Sequence, residues 1–534
     1  MTRNLIGLVL LLFGGHAVAQ DGGDGSVPDS KLDIGFTERG GRMNLFFVRF
    51  EDQLFMEGGE YEAFCEKHKG RDRAGLSVEV LADLRGRSEQ TWKQAGAGIE
   101  RLVRKGKIEG LKRYWIVNGF AGRADFYTLE ALAEMEAVDF VYRIRGADQT
   151  NRKAQGRKSQ RSVERALKKF AKDWKSDADE PFTQEGLEIP WNVERIQAPE
   201  VWGGGHTGQG VVVALLDTGL LATDSLTRAL WRNPDEQPNG KDDDGNGYVD
   251  DLFGWNFRTQ QPFVPEASGK SSHGSMCAGI VAGRPYNGKK LVTGIAPRAR
   301  IMVLQGMGQL EAYEYALENG ADLLSMSYMW VNQELGHYRG VFRLAHEHMA
   351  AAGVLACGGA GNFGPGSRKQ APAGHQIAMP KDIPCVVAAA GILKNGKLAP
   401  ASSEGPCTWD GVRYYDDYPA GKPLQKPDVT AFFGGYPVWN SISGMRQSWK
   451  VDWEGPGEIG LITGPRGNSF SGPHAIGVAA LMLSANPKLQ PCEIQAILRS
   501  TAKDLGPKGW DTKFGAGLMQ ALPAVAEALR RAGE

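Results

Sequence analysis

From residue 182 onward, short runs of consecutive apolar residues alternate with amphipathic ones. "GVVVALLDTG", "ARIMVLQGM", "LLSMSYM", "VLACGGAGN" and "CVVAAAG" read as strands, and "MCAGIVAG", "AYEYALENGA" and "FRLAHEHMAAAG" as the helices between them. Strands apolar on both faces and separated by helices predict an α/β fold over 185–530, a mostly parallel doubly wound sheet with helices on both faces.

Upstream the pattern changes. Residues 75–145 predict a small α+β domain with strands at "LSVEVLADL", "RYWIVNGFAG" and "VDFVYRI", a long helix over 88–112 and another at "TLEALAEME". The Gly- and Asp-rich stretch before it makes 20–74 a flexible N-terminal pro-region, and the Lys/Arg-rich run 152–175 makes 146–184 a basic, easily cut linker. "MTRNLIGLVLLLFGGHAVAQ" has the charged start, short apolar run and Ala17-Val18-Ala19 site of a secretory signal peptide covering 1–19. Its apolar run, 5–13, is too short to cross a bilayer, so the expectation is export (extracellular or periplasmic) with no stable membrane anchor.

Charge narrows the partners. Lys+Arg and Asp+Glu are equal at 62 each in 534 residues, which names no polyanionic partner. The basic run reads as a solvated helix, not a nucleic-acid site. Export permits disulfides, and of six cysteines Cys385 and Cys407, flanking a strand and a polar turn, are the candidate pair.

Three motif matches fail on context. Gly203 to Gly208 fits G-x-G-x-x-G but precedes its strand instead of following one. His346 and His348, two apart on a helix, face different ways and make no zinc pair. "GNSFSG" is not the G-x-S-x-G esterase elbow.

The remaining chemistry-bearing residues sit where a doubly wound sheet reacts. Asp217 ends the apolar strand "VVVALLD", at the carboxyl edge where such folds bind ligands. His273 opens the small-residue helix of "SSHGSMCAGIVAG". Ser469 and Ser471 stand at the entrance of the apolar helix of "NSFSGPHAIGVAALMLSANP", where unpaired N–H groups favour developing negative charge. Acid, base and nucleophile are all present.

With "VVVALLDTG", "HGSMCAGIVAG", "GNSFSGPHAIGVAALML", "GVLACGGAGN" and "QKPDVTA" in this order, the chain resembles the subtilisin-like serine proteases, the subtilase family. The likeness covers about 185–530. It implies a serine endopeptidase acting on polypeptide substrates through Asp217, His273 and Ser469. It also implies Asn362 as oxyanion donor beside Gly361, and no cofactor for the chemistry. Ser471 takes the place of a small alanine in the family motif. Residues 113–144 are similar to the family's inhibitor-type propeptide, which implies a self-processed zymogen whose N-terminal domain is an intramolecular inhibitor.

Departures sharpen the expectations. The substrate-binding edge reads Ser327-Tyr328-Met329-Trp330 where the family has small residues, so Met329 and Trp330 are expected to narrow the first specificity pocket. "VTAFFGG" replaces the family's V-x-A-P-G. In "KDDDGNGYVDD", Asp242, Asp244, Asn246 and Asp250 alternate like calcium ligands, although Phe253 stands where an EF-hand closes with Glu. A structural calcium in a non-helical loop is the expectation. The competing readings are a subtilase-fold scaffold without turnover and an esterase of another fold.

Overall fold

The structure, a computed structural model, describes residues 30–33, 35–36, 43–144, 158–177, 180, 182–266, 269, 272–285, 290–331, 335–443, 445–454 and 458–533. The expected signal peptide and residues 20–29, 34 and 37–42 of the expected flexible pro-region lie outside these residues.

The N-terminal domain is a four-stranded antiparallel sheet of β1 (Asn44–Phe50), β2 (Ile108–Tyr114), β3 (Gly119–Ala124) and β4 (Val138–Arg143), in the order β2-β3-β1-β4. Its helices are α1 (Glu60–Lys67), α2 (Arg73–Arg104) and α3 (Phe126–Ala133). Three expectations change here. The domain begins at β1, not at 75, because "NLFFVRF" is a central strand that buries Phe46, Phe47, Val48 and Phe50. "LSVEVLADL" is helical: Leu76, Val80 and Leu84 fall one turn apart on the buried face of α2, while Val78 between them is exposed. "RYWIVNGFAG" is a hairpin, since β2 ends at Tyr114 and β3 starts at Gly119.

The main body carries an eight-stranded sheet of β5 (Val212–Leu216), β6 (Gly254–Asn256), β7 (Gln261–Pro262), β8 (Arg300–Gln305), β9 (Leu323–Met326), β10 (Leu355–Gly359), β11 (Val387–Ile392) and β12 (Val429–Phe432). The order is β12-β11-β10-β9-β5-β8-β6-β7, with every pairing parallel except β6 with β7. A second sheet joins β13 (Val438–Ser441), β14 (Lys450–Glu454) and β15 (Ile459–Thr463).

Helices α4 (Gln160–Asp173), α5 (Trp191–Arg195), α6 (Ala198–Gly203), α7 (Asp224–Thr227), α8 (Ser272–Ala282), α9 (Leu310–Glu318), α10 (Arg339–Ala351), α11 (Ser471–Ala485), α12 (Pro491–Ser500) and α13 (Ala521–Ala532) complete the described body. The sheet divides two cores. Val213 and Leu215 of β5 join the apolar residues of α8, α11 and α13. Ala214 and Leu216 join those of α9 and α10, so both faces are covered as expected of a doubly wound α/β protein.

The basic run does not behave as a linker. In α4, Val163 and Leu167 are buried, Leu167 in the α8–α11 core, while Lys168, Lys169 and Lys172 point to solvent. The Trp174 indole donates to Thr227 O at 2.8 Å. Buried Asp177 then pairs with Arg284 and Arg300 at 2.9 and 2.8 Å. Residues 158–177 therefore belong to the main body, which starts before 185.

The N-terminal sheet docks on α9 and α10. Glu314 accepts the Ile116 N–H at 3.1 Å, His348 Nδ1 donates to Ile116 O at 2.5 Å, and Lys112 pairs with Glu311. Arg73 pairs with Asp322 at 2.6 Å and Arg85 with Glu318 at 2.7 Å. His346 Nδ1 donates instead to Phe342 O of its own helix, which separates it from His348 and removes any zinc pair. Among the described residues no helix is long and apolar enough to cross a membrane.

Candidate active site

The parallel strands deliver their ends to one edge. Asp217 follows β5, Ser327 follows β9, and Asn362 lies three residues beyond β10. His273 sits in the first turn of α8, and Ser469 in the turn that leads into α11.

Asp217 and His273 are joined by a 2.7 Å contact between Oδ1 and Nδ1, and Asp217 also accepts the Thr218 N–H at 2.7 Å. Two glycines permit this closeness. A Cβ on Gly274 would lie 2.2 Å from Gly219 O, so the turn after Asp217 and the start of α8 meet backbone to backbone. The Gly274 N–H donates to Thr218 Oγ1 at 3.0 Å, which fixes the His273 backbone against that turn. Burial opposes charge on both partners, yet their mutual attraction prevails. The His273 pKa stands well above the ordinary histidine value, and that of Asp217 below the ordinary carboxylate value.

The serine turn is tied to the same helix. Ser327 Oγ donates to Ser469 O at 2.9 Å. The Cys277 thiol, one turn beyond His273, reaches Ser469 O at 3.5 Å and His273 Nδ1 at 4.0 Å. The Phe470 ring lies nearly parallel to the His273 imidazole, with centroids 6.4 Å apart. Ser469 is half-buried at this edge, whereas Ser471 is fully buried and donates to Asn468 Oδ1 at 3.1 Å.

Asn468 links the serine turn to the loop after β10. Its N–H donates to Asn362 Oδ1 at 2.8 Å, and its Nδ2 donates to Gly361 O and, at 3.0 Å, to Ser402 Oγ. With Oδ1 of Asn362 committed, the donor end of that carboxamide is Nδ2. Gly361 needs its glycine twice, for φ +121° and because the Met329 thioether lies 2.7 Å from where a Cβ would be.

The three bulky residues after Ser327 part company. Tyr328 shares a 2.8 Å hydrogen bond with Tyr313 of α9, and the Trp330 ring packs 5.0 Å from Phe342 of α10. Only Met329 faces Gly361. Buried Lys381, which no sequence motif singles out, donates to Tyr328 O and holds this edge. His474, which follows Pro473, is buried and bonded to Phe470 O and Asn192. Burial lowers its pKa to about 4, so it stays neutral in a structural role.

The acidic loop regroups the expected calcium ligands. Carboxylate oxygens of Glu236, Asp242 and Asp244 lie within 4.8 Å of one another. Glu236, absent from the sequence expectation, is fully buried; its Oε1 accepts the Asp243 and Asp244 N–H groups, while Oε2 has no hydrogen-bond partner. Asp250 lies apart from them, at φ 56°, with Oδ1 accepting the Asn239 and Gly240 N–H groups at 2.8 Å each. Asn246 spends its Oδ1 on the Tyr248 N–H and points its amide at Asp244 and Asp251. Glu236 stands well upstream of the D-x-D pattern, which hid it from any spacing rule.

Sequence comparison agrees with this geometry. The subtilase family pattern matches residues 208–517. The chain is 27% identical to Bacillopeptidase F of Bacillus subtilis (strain 168) over 90% of its own length and 31% of that protein's. It is 23% identical to subtilisin E of the same organism, over 74% of this chain and 88% of the relative. It is also 27% identical to a calcium-dependent protease of Nostoc sp. (strain PCC 7120 / SAG 25.82 / UTEX 2576), over 51% of this chain and 42% of the relative. The fold, the strand-end site and the match over 208–517, more than half of the 534 residues, together place the chain in the subtilase family.

Proposed function

We propose that the protein is an exported serine endopeptidase, made as a zymogen, that cleaves polypeptides through Asp217, His273 and Ser469. The observation that carries the reading is the Asp217–His273 pair held beside the Ser469 turn through Cys277 and Ser327. The bond to Asp217 fixes the proton on His273 Nδ1 and leaves Nε2 as the base. Nε2 takes the Ser469 hydroxyl proton as Oγ attacks the scissile carbonyl, then returns it to the leaving amine. Asn362 Nδ2 and the Ser469 N–H receive the oxyanion. Water, deprotonated by the same imidazole, releases the acyl group from Ser469.

The N-terminal domain is read as the intramolecular inhibitor, supported by its docking on α9 and α10. Because Met329 is the one of the three bulky residues after Ser327 that faces Gly361, it is the residue that narrows the first pocket and favours small residues before the scissile bond. Structural calcium is assigned to Glu236, Asp242 and Asp244, since a buried carboxylate oxygen without a partner suits a hard cation.

A fluorophosphonate probe tests the chemistry. The processed protein should label on Ser469, and Ser469→Ala should abolish both labelling and hydrolysis. An unlabelled mature form would leave a binding protein of the same fold. A peptide library cleaved efficiently after Phe and Leu would refute the narrow pocket.

A further inference from the structure

Three of the six cysteines meet at the seam between the N-terminal domain and the main body. A cavity of about 200 Å³ is lined by Tyr61, Cys65, Cys385, Cys492, Pro384 and Gln495, among others. Cys65 lies in α1 of the N-terminal domain, and Cys492 in the first turn of α12 in the main body. Both are half-buried and face the same cavity across the seam. Cys385 is fully buried in the cavity wall, and burial raises its pKa well above the ordinary thiol value. Cys407 is elsewhere, its thiol on Ile377 O at 3.6 Å in a separate apolar cluster, so the Cys385–Cys407 pair expected from the sequence does not form.

We propose that Cys65 and Cys492 form a disulfide that ties the N-terminal domain to the main body, so that cutting the connecting segment does not by itself free that domain. The bond rests on the proposed export, because it needs an oxidising compartment. Its chemistry assigns different roles to the two sulfurs. Cys492 sits in the first turn of α12, where the helix N-terminus favours its thiolate, whereas Cys65 lies in the second turn of α1.

The Cys492 thiolate therefore attacks the disulfide of an oxidant, either a thiol oxidoreductase or glutathione disulfide. One oxidant sulfur leaves as a thiol after taking up a proton, and the other remains in a mixed disulfide on Cys492. The Cys65 sulfur, giving up its proton, then attacks Cys492 Sγ and expels the second oxidant thiol. Two electrons and two protons have passed to the oxidant, and one S–S bond joins the domains. Reduction reverses the same exchange, so a thiol reductant becomes a requirement for releasing the N-terminal domain after the chain is cut.

Peptide mapping of the full-length Ser469→Ala chain, exported or refolded in a glutathione redox buffer and alkylated without reduction, tests the bond independently of catalysis. The expected product is a Cys65 peptide linked to a Cys492 peptide, two hydrogens lighter than the separate thiols, with Cys385 recovered alkylated. Recovery of all three as alkylated thiols, or a link that includes Cys385, overturns the proposal. Cys492→Ser should abolish the link, and Cys385→Ala should keep it. Self-cut active protein should run as one species without reductant and as two with it, and Cys492→Ser as two in both. Two species from the active parent without reductant overturns the tether. An active parent that never cuts itself fails the protease reading, and the mapping still decides the bond.

Discussion

Asn468 holds two loops of the site together, and Asn468→Ala should expose that role. The side chain makes three hydrogen bonds, to Gly361 O, Ser402 Oγ and Ser471 Oγ. Each contributes about 1 kcal/mol net, and a buried partner left unpaired costs about 1–3 kcal/mol. Ser402 keeps the Gly391 N–H and Gly361 O keeps the Ser403 N–H as partners, so the penalty falls on Ser471 Oγ. A total loss of about 2–4 kcal/mol in unfolding free energy follows. Ser471→Ala, which removes one of the three bonds, should cost about 1–2 kcal/mol and keep hydrolysis.

The functional effect runs through Asn362. The Asn468 N–H, which the variant keeps, orients its carboxamide, and the Asn468 side chain shares with the Ser403 N–H in holding the Gly361 carbonyl next to it. On the proposed mechanism, losing the side-chain support lets Asn362, the oxyanion donor of that reading, drift, and a misplacement of about 1 Å costs about 10²-fold in rate. In subtilisin, a relative of this chain, loss of the equivalent donor is known to cost about 10²–10³ in kcat, which sets the upper end of the effect. A double-mutant cycle on kcat separates positioning from bulk destabilisation. If Asn468 acts through Asn362, Asn468→Ala costs about 10- to 100-fold in the parent but little on an Asn362→Ala background. Fully multiplicative losses in the double variant would refute the argument, as would a kcat unchanged in Asn468→Ala.

Three further outcomes follow. On the proposed mechanism neutral His273 is the base, and its pKa is raised, so the acid limb of kcat/KM should lie on the alkaline side of the ordinary histidine value and move down in Asp217→Asn. The same pair stabilises the fold fully below the unfolded histidine pKa of about 6.5 and loses that contribution as pH rises through the folded value. In calorimetry the parent should melt higher in calcium than in chelator; Glu236→Gln should erase most of the difference and Asp250→Ala should keep it, whereas no calcium effect in the parent would defeat the assignment. Asp177→Asn strands the buried Arg284 at a cost of about 3–5 kcal/mol, so trypsin should cut at Lys168, Lys169 or Lys172 in the variant and not in the parent; equal resistance would show that α4 is held otherwise.

The legible parts of the sequence share a physical cause. Continuous apolar runs such as "VVVALL" specify buried parallel strands, and Asp217, Ser327 and Asn362 sit just past the ends of such runs. The family motif aligns its nucleophile with Ser469 and a small alanine with Ser471, and the structure leaves Ser469 half-buried and Ser471 fully buried. What escaped was non-local or periodically ambiguous. In "LSVEVLADL" the alternation of β-branched and polar residues mimics a strand, and only the longer period of Leu76, Val80 and Leu84 reveals α2. Leu167 reads as a residue of a solvated basic helix until the α8–α11 core covers it. Glu236 joins Asp242 and Asp244 only after the loop folds back on itself.

These contacts also bear on where maturation can cut. The seam between the N-terminal domain and the body combines one apolar cluster, which takes in Phe47, Leu76, Val80 and Ile116 with Tyr313 and Met349, with the charged pairs Arg73 with Asp322, Arg85 with Glu318 and Lys112 with Glu311. Segment 158–177 is itself fastened to the body, by Leu167 in the core and by Asp177 between Arg284 and Arg300. A cut inside that segment would unseat a core residue and strand a buried guanidinium, whereas a cut ahead of it disturbs neither. On the proposed zymogen reading, the mature chain therefore starts between Ile144, next to the last strand of the N-terminal sheet, and Lys158, whose carbonyl already accepts the Gln261 amide at 2.9 Å.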